Sequence, residues 1–128
     1  MEQMQKRWTT EVDKMKSIQR EIQKNGAHRQ QLEAQIRENK AVLTEIEPLA
    51  KENGDGKVFK LIGPALVPQD ASEAKQTVDK RLQYIEAEAK RIDGLIADGE
   101  KKQNAQREVL SKLQQQAQQA QVKQAVKQ

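Results

Sequence analysis

Side chains able to do acid–base or metal chemistry are present, but they are scattered. His28 is the only histidine and cysteine is absent, so thiolate nucleophiles, disulfides and thiolate metal sites are excluded. His28 falls at position g of the heptad set out below. There it is expected to face solvent with no ligand set around it. The carboxylates are spread along helix faces, with no pocket that would shift a pKa. Gly54-Asp55-Gly56 reads as a turn, because the Gly-Lys-Ser/Thr ending and following helix of a phosphate loop are missing. No catalytic residue, no metal site and no cofactor is assigned, and the chain does not read as an enzyme. The residues with chemistry to offer are apolar and suited to holding other proteins. Met1, Met4 and Trp8 near one end and Val122 and Val126 near the other are candidates for gripping irregular apolar surface, which adaptable Met and broad Trp side chains do well.

The elements that must position these residues are long helices. The 128 residues are 33% charged and 2% aromatic, too polar for an ordinary packed core of this length. Abundant Ala, Glu, Lys, Leu, Gln and Arg suits solvated helices that bury a narrow stripe. With Met1 at heptad position a, the a series is Met1, Trp8, Met15, Ile22, Arg29, Ile36 and Leu43. The d series is Met4, Glu11, Ile18, Asn25, Leu32, Asn39 and Ile46. A second unbroken register has Ala71, Val78, Ile85, Ile92, Gly99, Gln106, Leu113 and Ala120 at d. Its a positions are Lys75, Leu82, Ala89, Ile96, Gln103, Leu110, Ala117 and Gln124. Phase kept over such lengths predicts coiled-coil helices rather than globular amphipathic ones. Spacings of four between Glu2 and Lys6, Glu47 and Lys51, Glu86 and Lys90, and Asp98 and Lys102 suit ion pairs on the exposed faces.

Pro48 predicts that the first helix kinks or ends near it, with Asn53 and Gly54 as stop residues. Asp70 followed by Glu73 predicts the start of the second helix. Between them, Val58 to Ile62 and Ala65 to Val67 flank Gly63-Pro64 and read as a β-hairpin. Pro68 is expected to limit its second strand. The predicted fold is mostly α, a long antiparallel two-helix coiled coil connected by a single β-hairpin. Its parts are an N-terminal helix over 1–52, an assembly segment over 54–69 and a C-terminal helix over 70–128 with a fraying Gln-rich end. An isolated two-stranded ribbon is marginal in water, yet this one is apolar on both faces. Val58, Phe59, Leu61, Ile62, Leu66 and Val67 are therefore expected to pack against hairpins of other subunits, with packing back on the helix ends as the plainer alternative.

The run Val58-Phe59-Lys60-Leu61-Ile62-Gly63-Pro64-Ala65-Leu66-Val67 resembles the V-Y-K-L-I-G-P-x-L-V strand-turn-strand of β-type prefoldin subunits, in the version found in the eukaryotic subunit 6 group. The stretch from Val78 to Ile85 resembles the V-x-K-R-L-x-Y-I that opens their second helix. Phe59 stands where Tyr is usual, and Pro68 departs from the pattern in the second strand. The resemblance implies a hetero-hexamer of α-type and β-type subunits joined through hairpins. It also implies coiled-coil tips that hold unfolded clients, notably actin and tubulin, and deliver them to the cytosolic chaperonin without using nucleotide.

Antiparallel pairing sets Met1, Met4 and Trp8 opposite Gln116, Ala120 and their neighbours, too small or polar to cover them, so the client contact is expected there and at Val122 and Val126. Packing of Met4 and Trp8 as plain seam residues is the alternative. Asn25, Gly26 and Arg29, set across from Gly94, Gly99, Gln103 and Gln106, predict a soft stretch midway. Asn39 reads as a register-setting seam residue. The net charge is +4, and from Lys101 onward six basic residues meet one acidic residue, Glu108. That basic end reads as a solvated helix end and not a nucleic-acid site, since no aromatic residue accompanies it. No apolar run suits a membrane span, the first ten residues are too polar for a signal peptide, and a cytoplasmic location is expected. Two rival functions remain open at this level, a structural coiled-coil tether or adaptor and a basic helical nucleic-acid binder.

Overall fold

The computed structural model describes the backbone of residues 2–51, 57–62 and 65–127, and the side chains of residues 2–50 and 68–127. The element order is α1 (Glu2–Lys51), β1 (Lys57–Ile62), β2 (Ala65–Asp70) and α2 (Ala71–Lys127). The two helices follow directly from the heptads. Among described seam positions of α1, every a and d residue is buried or half-buried except Trp8. In α2 only Ala117, Gln124 and, one heptad beyond Ala120, Lys127 depart from that rule. Glu2 and Glu73 lie in the first turns and Lys127 in the last, the arrangement the helix dipole favours. Thr9, Thr10, Thr44 and Thr77 fit a helix because each hydroxyl donates to the carbonyl four residues back, at 3.0 Å.

α1 carries Pro48 inside and stops three residues later at Lys51, so the helix ends near the proline as expected. Proline leaves the Thr44 carbonyl without its usual donor, and both residues are exposed, so water can take the donor's place. Pro68 does not limit β2, which runs on to Asp70 and pairs antiparallel with β1 from Ile62↔Ala65 to Lys57↔Asp70. Antiparallel pairs alternate between hydrogen-bonded and non-hydrogen-bonded kinds. Pro68 pairs with Phe59 in a two-stranded sheet, where each strand has an open edge, and proline is tolerated on such edge strands. Asp70 closes β2 and Ala71 opens α2 with no residue between.

The chain forms two compact units, one from Met1–Ala27 with Asp93–Gln128, the other from His28–Ile92. In the second unit Ile46, Ala71, Ala74 and Val78 form a buried cluster flanked by Leu43 and Ala50. Further along, Leu32, Ile85, Ala89 and Ile92 are buried, Ile92 almost completely. Asn39 bonds back to its own helix, its side-chain amide donating to the Gln35 carbonyl at 2.7 Å.

Candidate functional site

In the first unit the seam changes character. Its buried residues are Met15 and Leu113 together with the amides Asn25 and Gln106. Gln106, placed by α2 at a d position, reaches across to Glu11, placed by α1 at a d position. Its side-chain nitrogen donates to the Glu11 carbonyl at 2.8 Å and to the Glu11 carboxylate at 2.6 Å. That bond from Gln106 is the main reason the Glu11 carboxyl sits below its ordinary pKa. Burial works the other way, and Lys14 at 3.4 Å and Arg7 assist the lowering. Ile22 packs into the space left by Gly99, where an added Cβ would lie 2.8 Å from Ile22 Cγ1, whereas Gly94 and Gly26 have nothing near. Of the expected soft stretch, Asn25 and Gly99 line one surface as expected, whereas Gln106 bonds to Glu11 instead.

Beyond this polar layer lies an open groove of about 330 Å³. Its floor is Met4, Trp8, Leu113 and Ala117, and its rim is Gln5, Gln114 and Gln121. Trp8 remains 39% exposed because Ala117 opposite is too small to cover an indole. Two of the expected contact residues, Met4 and Trp8, are therefore brought together. Val122 and Val126 are not. They are 62% and 81% exposed and stand at heptad positions f and c. Val122 follows Leu113 by nine residues, about half a revolution round the helix, so it turns away from the groove. It lines a separate shallow surface with Gln115, Gln118, Gln119 and Lys123. Met1 lies outside the described residues. Val58, Phe59, Leu61, Ile62, Leu66 and Val67 stand on the paired strands, and their side chains lie outside the described residues.

His28 is half-buried rather than solvent-facing. It adds to the lowering of the Glu88 carboxyl, which comes first from the hydrogen bond with Arg91. Arg91 grips both Glu88 oxygens, with Nε at 3.1 Å from Oε2. Among the described residues no group of His, Cys, Asp or Glu is placed to hold a metal ion. No helix there is long and apolar enough to cross a membrane. The feature of this region that sequence reasoning missed is the Glu11–Gln106 bond. Its signal was two polar residues at d positions, one on each helix.

A family model described as "Prefoldin subunit" matches residues 9–117. The chain is 45% identical to mouse prefoldin subunit 6 over 124 residues, covering 97% of this chain and 95% of the mouse protein. It is 48% identical to Arabidopsis thaliana prefoldin subunit 6 over 101 residues, covering 79% and 76% of the two chains. The crystal structure of the prefoldin beta subunit from Thermococcus strain KS-1 shares the fold, with a TM-score of 0.57 at 23% identity, covering 89% of this chain and 91% of that one. A seam of heptads folded against itself, two paired strands between the helices, and these matches place the chain among chaperone subunits that assemble with one another: it belongs to the prefoldin family.

Proposed function

We propose that this chain is a β-type subunit of the hetero-hexameric prefoldin co-chaperone. It holds unfolded client proteins such as actin and tubulin at its coiled-coil tip and delivers them to the cytosolic chaperonin without ATP, in the cytoplasm. The observation that carries the reading is the open apolar groove with an exposed Trp8 on its floor. Exposed apolar area on an otherwise charged helical surface marks a place that binds other chains. Met1, Met4 and Trp8 form the main client contact, with Val122 and Val126 as a second, outward one. The strands form a single hairpin whose Val58, Phe59, Leu61, Ile62, Leu66 and Val67 pack against hairpins of other α-type and β-type subunits. Residues 1–52 and 70–128 serve as holding arms and 54–69 as the assembly segment.

Trp8→Ala in the assembled complex is expected to weaken suppression of client aggregation severalfold while assembly and thermal stability are kept. Holding that stays at the wild-type level would remove Trp8 from the client contact. Deleting residues 58–67 is expected to abolish the hexamer; a tether without chaperone activity would instead keep its partners after that deletion.

A further inference from the structure

The Gln-rich stretch of α2 is unexplained by the heptads, since no seam needs glutamine at e positions. Three glutamines, Gln5 from α1 and Gln114 and Gln121 from α2, rim the groove whose floor is apolar. All three are exposed. A primary amide offers two donors and an acceptor at once. The groove lining contains no charged side chain, although the unit it belongs to holds twelve basic against eight acidic residues and therefore the whole net charge of +4. A neutral rim inside a basic unit complements a neutral, dipolar ligand and gives a charged one nothing to pair with. The peptide backbone of an extended chain is such a ligand, because its N–H and C=O groups are unpaired and strongly hydrogen-bonding. A helix or a strand inside a sheet has already satisfied them.

We propose that the glutamine rim hydrogen-bonds the backbone of an extended, unfolded segment while Met4, Trp8, Leu113 and Ala117 take one of its apolar side chains. This rests on the client-holding reading above and gives it a recognition rule. The groove distinguishes unfolded from folded by free backbone amides, not by side-chain sequence.

The test uses the full chain with Trp8, its only tryptophan, replaced by 5-fluorotryptophan and assembled with its partner subunits, so that fluorine resonance reports this groove alone. Two probes are titrated, a capped, unstructured peptide bearing one central leucine among glycine and serine, and the same peptide N-methylated at alternate backbone amides. The native groove is expected to bind the methylated peptide about tenfold more weakly, the effect of losing one or two net hydrogen bonds. The triple variant Gln5→Ala, Gln114→Ala, Gln121→Ala is expected to bind both peptides equally. Equal binding of the two peptides by the native groove, or unchanged discrimination by the triple variant, overturns the proposal and leaves client holding standing. Absence of any fluorine shift with either peptide overturns client holding at this groove, and the proposal with it.

Discussion

The two compact units are nearly equal in length but are filled differently. Of the ten buried apolar residues described, the His28–Ile92 unit holds eight, and the unit of Met1–Ala27 with Asp93–Gln128 holds Met15 and Leu113 alone. Both buried amides, Asn25 and Gln106, lie in the latter. Charge divides the same way. The apolar unit has eleven basic and eleven acidic residues, and the polar-seamed unit carries the surplus. One heptad pattern thus serves two ends. A well-filled seam stabilises, while a seam of amides, glycine and an uncovered indole leaves apolar surface exposed to solvent. The grooved unit gives up burial worth roughly 25 cal/mol per Å² at each apolar side chain left uncovered.

The comparison breaks most sharply at Ile92, which is 1% exposed. Ile92→Ala is expected to cost about 2–5 kcal/mol, read as a lowered urea midpoint by far-ultraviolet circular dichroism. A loss no larger than that of a surface substitution would erase the distinction between the units. Gln106→Ala removes the donor that Glu11 depends on and is expected to lower the urea midpoint, by less than Ile92→Ala does. The pair Gly99→Ala and Gly94→Ala sharpens the picture within one unit. At Gly94 nothing lies within reach, so alanine is expected to stabilise the helix by about 0.5–1 kcal/mol. At Gly99 the new Cβ meets Ile22, so the same change is expected to destabilise. The smallest effect is that of acid. The Glu11 carboxyl is held below its ordinary value, so its contribution is present above the unfolded carboxylate range and is lost as pH falls through the lowered folded value. Melts at decreasing pH should show a slightly steeper loss for the native chain than for Glu11→Gln.

Much of the fold was legible because the heptad is a strict geometric rule. The a and d assignments sort buried from exposed residues along both helices, and the phase also places Val122 and Val126 at f and c, turned outward. That consequence was available from residue numbers yet was outweighed by their apolar character. Of the two prolines, Pro48 lies near the end of α1 as expected, whereas Pro68 does not limit β2. A proline's cost depends on whether the lost donor had a buried partner, and a sequence does not display that. Pro48 is exposed, so solvent supplies the alternative, and Pro68 lies on a strand with an open edge. Pairing across the seam was least legible. Gln106 could face any of several α1 residues within a turn, and only the structure shows its amide reaching Glu11. His28, at a g position, is half-buried where the heptad alone predicts solvent exposure.

The most direct test of the account is hydrogen–deuterium exchange of the assembled complex with and without a chemically unfolded client. The account predicts slowed exchange, on client addition, over residues 2–12 and 110–124, where the groove lies, with residues 28–50 and 70–92 unchanged. Protection gained in the His28–Ile92 unit while the groove residues stay as they were would contradict it.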